Sequence, residues 1–171
     1  MRVFVAAELA PVAREALGAL ARPGVQGLRW AKPEHWHVTM AFLGEIEPAA
    51  VASVGVALRG SGAPAGRARL GPATTLLGRG ILCVPVTGLD VVAARVAQAL
   101  RAEGFEIEER PFRGHVTLAR ARGRRSVPPS LRGAAVEATW DVDGLAVMES
   151  RQEEGGSRYE VLERVPLSGD P

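Results

Sequence analysis

The chain of 171 residues contains one cysteine, Cys83, and only three histidines. A single cysteine cannot form an intramolecular disulfide, and a cysteine within an apolar run is usually a small buried hydrophobic residue. No apolar segment approaches the roughly 20 residues that a bilayer crossing needs. The first eight residues already carry Arg2 and Glu8, which is unlike an export signal. We therefore expect a cytoplasmic protein that contacts no membrane.

Two common phosphate-binding signatures are also missing. Neither G-x-G-x-x-G nor G-x-x-x-x-G-K-[ST] occurs in the chain, so a dinucleotide site and a P-loop have no support. The composition is that of an ordinary folded protein, with 47% hydrophobic and 23% charged residues, which argues against disorder. A chain of this length can form one compact domain, or two small lobes that share a core.

The spacing of apolar residues predicts strands that alternate with helices. Helices are expected to begin at Pro11 and Pro48, and a third over 91–100 would be capped by Gly104. The Gly- and Pro-rich loop 60–66 is the best candidate for a boundary between two halves. Hairpin signals beside crossovers favour an α+β fold with mainly antiparallel sheets. Strands are predicted over 2–8, 28–30, 37–43, 68–77, 81–86, 115–120, 135–148 with a break near 143–144, and 159–167.

One short pattern occurs twice, and the two copies begin 78 residues apart. The copies read His37-Val38-Thr39-Met40 and His115-Val116-Thr117-Leu118. Their β-branched residues favour an extended backbone, and side chains alternate along a strand with period two. The histidine and the threonine of each copy are therefore expected on one face of a strand. Internal duplication is a natural hypothesis.

Two imidazoles and two hydroxyls of this kind could enclose a phosphodiester. An imidazole has an unperturbed pKa of about 6.5, so one ring can deprotonate the attacking oxygen while the other protonates the leaving oxygen. Each proton transfer typically contributes about 10²–10⁴-fold to the rate, so no cofactor is required. Thr39 and Thr117 could donate hydrogen bonds to the non-bridging oxygens. A single His-x-Thr pattern on a strand more often contains a histidine with a structural role. Two copies of the pattern in a chain with three histidines predict a shared site.

Further candidate substrate-binding residues flank the motifs. Between Arg110 and Arg125 the chain has six arginines and no Asp or Glu, which favours an anionic ligand there. Strand alternation places Arg113 on the face of His115, and Arg120 on the opposite face with Leu118. Either arginine could bind phosphate, with a surface ion pair as the alternative.

The aromatic residues offer a second kind of contact. Phe42 and Phe112 could stack on a nucleobase, because aromatic faces bind single-stranded bases without sequence preference. Core packing is the simpler role for Phe42. Tyr159 could lie either in the core or at the rim of the site.

The paired motifs resemble those that define the two-histidine (2H) phosphoesterase superfamily. The wider context is similar to its RNA 2′,3′-cyclic phosphodiesterase branch, also described as the bacterial and archaeal 2′-5′ RNA ligase family. The similarity runs along the whole chain. The matching segments outside the motifs are 1–6, 28–30, 42–44, 111–114 and 119–120, together with Glu149-Ser150, Gly156 and Tyr159.

This resemblance implies an α+β, bilobal, duplicated fold in which two antiparallel sheets face a central cleft and helices pack outside. Residues 1–171 would then form a single domain of two pseudo-symmetric lobes. The implied activity is hydrolysis of RNA 2′,3′-cyclic phosphate ends to 2′-phosphomonoesters, without metal or nucleotide cofactor. We expect a monomer that acts on RNA ends or on small 2′,3′-cyclic phosphates.

The resemblance also implies a role for each motif residue. His37 would donate a proton to the leaving 3′ oxygen, and His115 would accept one and so activate water. Thr39 and Thr117 would hold the phosphate. Run backwards with a 5′-hydroxyl, the same geometry would form a 2′-5′ linkage.

Two alternatives remain open at the level of sequence. His35, His37 and His115 could bind zinc and leave an open position for activated water, and chelator treatment would reveal this. The chain could instead be a catalytically inactive RNA-binding module that uses the arginine-rich region, with strong salt dependence and no turnover.

Overall fold

A computed structural model describes residues 1–154 and 156–168. Within these residues the chain forms ten strands and three α-helices. The strands are β1 (Arg2–Glu8), β2 (Leu28–Trp30), β3 (His37–Glu45), β4 (Gly66–Leu70), β5 (Thr75–Leu77), β6 (Ile81–Thr87), β7 (His115–Ala121), β8 (Ala138–Val142), β9 (Gly144–Glu153) and β10 (Gly156–Pro166). The helices are α1 (Pro11–Gly18), α2 (Val51–Gly60) and α3 (Asp90–Ala102).

The strands form two sheets. Within each sheet, all described neighbouring strands pair in the antiparallel direction. The first sheet has the order β10-β9-β1-β3, and the second has the order β2-β7-β6-β4-β8 with β5 paired to β6. Each sheet contains one motif strand, β3 in the first and β7 in the second. The predicted α+β fold with antiparallel sheets is confirmed.

The two sheets draw strands from both ends of the chain. β2 precedes the first motif but pairs with β7, whereas β9 and β10 follow the second motif but extend the sheet of β1. The loop 60–66 therefore does not separate two sheets, and its prediction as a boundary between halves is wrong. Non-local pairing of this kind leaves no signal in the local composition.

The single strand predicted over 68–77 is also wrong. The chain turns at Gly71-Pro72, where Gly71 has φ +109° and a Cβ would overlap the carbonyl oxygen of Val136. Only glycine is accommodated there, and proline then removes a backbone donor from any continuing ladder. The segment is therefore split into β4, which pairs with β8 and β6, and β5, which pairs with β6 alone.

One apolar core supports both motif strands. Val5 of β1, Val84 of β6 and Val116 of β7 are fully buried in the same cluster, together with Leu17 of α1 and Leu100 of α3. Because both sheets rest on this core, the distance between β3 and β7 is fixed by close packing. In the part of the chain that the structure describes, no helix has the length and apolar character that a membrane crossing needs.

Candidate active site

A cavity of about 550 Å³ opens between the two sheets and contains both motifs. It brings together most of the predicted site residues: His37, Thr39, Phe42 and Tyr159 from the first sheet, and His115, Thr117 and Arg120 from the second. Phe112 and Arg113 do not line this cavity. They lie instead at a second, smaller depression of about 300 Å³ that shares His115 with the first.

Both motif imidazoles are fixed through the same ring nitrogen. Nδ1 of His37 lies 2.7 Å from the carbonyl oxygen of His35, and Nδ1 of His115 lies 2.7 Å from the carbonyl oxygen of Arg113. A carbonyl oxygen only accepts hydrogen bonds, so each Nδ1 carries a proton and donates it. Each neutral ring then has an unprotonated Nε2 available for proton transfer. The Thr39 hydroxyl donates to Nε2 of His37 over 3.1 Å.

The environment of His37 favours its neutral form. Burial of the ring lowers the pKa of His37 most strongly, and the positive charges of His115, His35 and Arg120 lower it further. The hydrogen bond to the carbonyl of His35 acts in the opposite direction. In the free protein His37 is therefore a neutral imidazole at neutral pH.

This pKa shift makes stability depend on pH. The unfolded chain protonates His37 near pH 6.5 while the folded protein does so only at lower pH, so the free energy of unfolding should decrease as pH falls from about 6.5 through the folded pKa. We expect urea titrations to show wild type losing stability relative to His37→Gln over this window. A difference between the two proteins that stays constant with pH would contradict the prediction.

Aromatic rings enclose His37. The Phe4 ring centroid lies 4.9 Å from that of His37, and Tyr159 meets the same imidazole edge-on at 5.2 Å. Tyr159 also packs against His35 at 4.9 Å. Tyr159 therefore forms part of the cavity wall. Phe4 was missed at the level of sequence, although its register opposite Phe42 follows once β1 is paired with β3.

A β-bulge follows the threonine in each motif strand. In β3, Thr39 and Ala41 pair with consecutive residues of β1, so Met40 is an extra residue. In β7, Thr117 and Ala119 pair with consecutive residues of β6, so Leu118 is an extra residue. A bulge of this kind shifts the alternation of side chains by one position.

The bulge brings the fifth residue after each histidine into the cavity. These residues are Phe42 and Arg120, both exposed and both on the cavity wall. The predicted placement of Arg120 on the face opposite His115 is thus wrong, because the bulge at Leu118 breaks the alternation of side chains along β7. Phe42 is 52% exposed, so it does not pack in the core.

Gly114 determines where β7 begins. A Cβ at this position would overlap the carbonyl oxygen of Val86 and lie 3.2 Å from the Phe112 ring. The Val86 amide donates to the Gly114 carbonyl over 2.8 Å, so the two backbones are in direct contact. Gly114 therefore allows His115 to enter the sheet at its observed position.

We expect Gly114→Ala to lower the free energy of unfolding by about 1–3 kcal/mol, the range for overpacking at a tight site, and to reduce kcat by displacing His115. Urea unfolding and steady-state kinetics would measure the two effects. Gly80→Ala is the matched control, because a Cβ there meets no atom within 4 Å. Equal stability of the two variants would show that the contact with Val86 is easily relieved.

The cavity is electropositive. Four cationic side chains line it, those of Arg2, Arg29, Lys32 and Arg120. None of the described lining residues is Asp or Glu. None of the four pairs with a carboxylate within 4 Å in residues 1–154 and 156–168. Unpaired cations around two imidazoles suit an anionic ligand such as a phosphodiester.

The alternative zinc site is not formed. Over the described ranges, no three His, Cys, Asp or Glu side chains are close enough together to hold a metal ion. His35 packs against Tyr159 instead of joining His37 and His115.

Comparisons with known proteins show one family and one fold. The "LigT like Phosphoesterase" family profile matches residues 3–69 and 84–159, which include both motifs. An RNA 2′,3′-cyclic phosphodiesterase of Geobacillus stearothermophilus is 27% identical over 98% of this chain, and the match spans 58% of that relative's length. A crystal structure from Thermus thermophilus superposes with a TM-score of 0.79 at 26% identity, covering 100% of both chains. The crystal structure of E. coli LigT complexed with 3′-AMP superposes with a TM-score of 0.76 at 24% identity, covering 98% of each chain.

Proposed function

The chain belongs to the LigT-like phosphoesterase family, and on this basis we propose that it hydrolyses the 2′,3′-cyclic phosphodiester ends of RNA to 2′-phosphomonoesters. The observation that carries the proposal is the meeting of His37, Thr39, His115 and Thr117 in one electropositive cavity. The matched relative named RNA 2′,3′-cyclic phosphodiesterase supports the choice of substrate.

The two bulge positions suggest how a nucleotide is oriented. Phe42, on the sheet of His37, offers an exposed ring on which a base can stack. Arg120, on the sheet of His115, offers a guanidinium to the phosphate. A nucleotide held in this way has its ribose toward the first sheet. The leaving 3′ oxygen then lies toward His37, and His115 lies on the side from which water attacks.

The reaction needs two proton transfers and no further reactant. Nε2 of His115 takes a proton from water as its oxygen bonds to phosphorus. The bond from phosphorus to O3′ breaks, and Nε2 of His37 delivers a proton to that oxygen. The phosphate remains on O2′, while Thr39, Thr117 and Arg120 donate hydrogen bonds to its charged oxygens.

His37 must be protonated to act as the acid, although its environment in the free protein favours the neutral ring. An anionic phosphate beside an imidazole favours the charged form and raises its pKa. We therefore infer that substrate binding raises the pKa of His37, so that the imidazole takes up a proton when the phosphate binds. The imidazole of His37 is thus neutral in the free protein and protonated when the phosphate is bound.

A product analysis tests the proposed function. Adenosine 2′,3′-cyclic phosphate is incubated with the protein, and the 2′ and 3′ monophosphates are separated by chromatography. We expect 2′-AMP as the product, with the rate unaffected by excess EDTA. Formation of 3′-AMP would reverse the proposed orientation, and a loss of activity in EDTA that zinc restores would favour the metal-dependent alternative.

Two further aspects belong to the same proposal. Because one chain supplies both motifs, we propose that a monomer is the active form. We also propose that the motif strands belong to two pseudo-symmetric lobes, since β3 and β7 share the same burial sequence over six residues and the same bulge. Reverse 2′-5′ ligation would use the same groups with a 5′-hydroxyl in place of water.

A further inference from the structure

Three segments of the chain that lack acidic residues meet at one end of the second sheet. Residues 16–33, 48–89 and 110–136 contain no Asp or Glu. The first segment contains β2, the second contains β6 and the third contains β7, and β7 pairs with both of the other strands. None of the three segments therefore contributes a carboxylate to the surface around the end of β7.

Arginines are concentrated on this surface. Arg122, Arg124 and Arg125 follow β7 directly, and Arg79 lies in the turn before β6, where its carbonyl oxygen accepts a hydrogen bond from the amide of Val127 over 2.8 Å. All four arginines are exposed. In the part of the chain that the structure describes, none of them has a carboxylate within 4 Å. We call these four residues the arginine patch, and its unpaired charges suit a polyanion.

The arginine patch is continuous with the catalytic cavity. Arg29 of β2 and Arg120 of β7 are directly opposite each other on neighbouring antiparallel strands, and both line the cavity. Two residues before Arg29, a Cβ on Gly27 would overlap the Arg125 side chain, so this side chain covers the backbone next to β2. The cations therefore follow one another from Arg120 through Arg29 to Arg125 at the surface.

The opposed pair of Arg29 and Arg120 indicates a ligand with more than one phosphate. Like charges directly opposite each other on paired strands destabilise a sheet, and an anion between them offsets the repulsion. In the proposed mechanism Arg120 binds the reacting phosphate, which leaves Arg29 to bind another. A nucleoside 2′,3′-cyclic phosphate has one phosphate only. Each further nucleotide on its 5′ side adds one.

The other side of β7 is less suited to a chain of phosphates. The second depression lies there and contains Asp90. Beyond it, Arg67 of β4 already pairs with Asp141 of β8 at 2.7 Å. A polyanion would meet repulsive carboxylates along this path, whereas the path over β2 leads to unpaired cations.

We propose that Arg29 and the arginine patch bind the phosphate backbone of a single RNA strand on the 5′ side of its cyclic phosphate. The preferred substrate is then an oligonucleotide, and a mononucleotide uses only part of the site. The inference rests on the proposed function, because it assigns the length of the substrate of the same reaction and the path of that substrate over β2.

The first test compares two substrates of the wild-type protein. Adenosine 2′,3′-cyclic phosphate has no backbone phosphate, and hexa-adenylate ending in a 2′,3′-cyclic phosphate has several. The value of kcat/KM is measured for each over a range of salt concentrations. On logarithmic axes we expect the slope for the oligonucleotide to be steeper by about 2, which is about 0.7 for each of three bound phosphates of a single strand. Equal slopes would overturn the proposal.

The second test locates the binding of the backbone. The double variant Arg122→Gln/Arg125→Gln should lower the ratio of kcat/KM for the oligonucleotide to that for the mononucleotide by about 10-fold at low salt, as loss of two exposed ion pairs would give. The matched control is Arg67→Gln/Arg69→Gln, which removes the same charge from exposed positions of β4. The control should keep the wild-type ratio.

The outcomes separate this inference from the proposed function. A ratio that is unchanged in the patch variant, or that falls equally in both double variants, would overturn the path over β2 while leaving the hydrolase intact. Hydrolysis of the mononucleotide reports that each variant is folded, and the slopes of the wild-type protein decide the question of length without any variant. Absence of hydrolysis of both substrates would instead count against the proposed function.

Discussion

Replacing either motif histidine with alanine is expected to reduce kcat for a nucleoside 2′,3′-cyclic phosphate by about 10²–10⁴-fold, the contribution of one general acid or base. The expectation follows from the geometry of the cavity, in which His37 and His115 approach from different sheets and each has its Nδ1 bound to a carbonyl oxygen. With one ring removed, either the attacking or the leaving oxygen has no partner for its proton. The double variant should be little worse than the single ones, because the two groups act in one step.

The third histidine provides the comparison. His35 lines the same cavity, but it acts on His37 through its backbone carbonyl, which any residue supplies. His35→Ala should therefore lose much less activity than His37→Ala. Circular dichroism and urea unfolding would establish that each variant is folded, and His37→Gln offers a polar replacement for the buried ring. Turnover near the wild-type rate in a folded His37 or His115 variant would refute the assigned roles.

Arg120→Gln should lower kcat by about 10²–10³-fold, as removal of one preorganised donor to a developing charge does. Arg120 lines the cavity and has no described carboxylate partner that would compete for its guanidinium. Arg120→Lys should recover only part of the rate, because an ammonium cannot donate to two phosphate oxygens in a planar fork.

Phe42→Leu at the corresponding position of β3 should change a different parameter. Loss of a stacking face weakens binding of the ground state and the transition state alike, so KM should rise while kcat is nearly retained. Steady-state kinetics on a cyclic nucleotide would separate the two effects. An increase in KM alone for Arg120→Gln, or a large drop in kcat for Phe42→Leu, would contradict the orientation proposed for the nucleotide.

The motif strands could be predicted because their signals are local. Alternation with β-branched residues predicts the shared face of His37 and Thr39, and the same holds for His115 and Thr117. The position of Arg120 could not be predicted in this way. The bulge at Leu118 exists only in relation to the partner strand β6, and nothing in the residues around it indicates an extra position.

The charge of the cavity was equally hard to predict. The run of six arginines between Arg110 and Arg125 predicted a basic site, but Arg120 is its only member among the described residues that line the main cavity. The other cations there come from positions 2, 29 and 32, where the sequence has no basic cluster. Tertiary pairing of β1 and β2 with distant strands brings them together.

The same pairing has a consequence for cutting the chain. A fragment that ends near residue 60 would contain β1 and β3 without β9, and it would carry β2 without β7. The remaining fragment would leave β7 and β9 each with an unsatisfied edge. Neither piece can complete a sheet alone, yet each holds the strands that the other lacks. The protein is therefore suited to fragment complementation, in which reassembly of the two pieces would be reported by the return of enzymatic turnover.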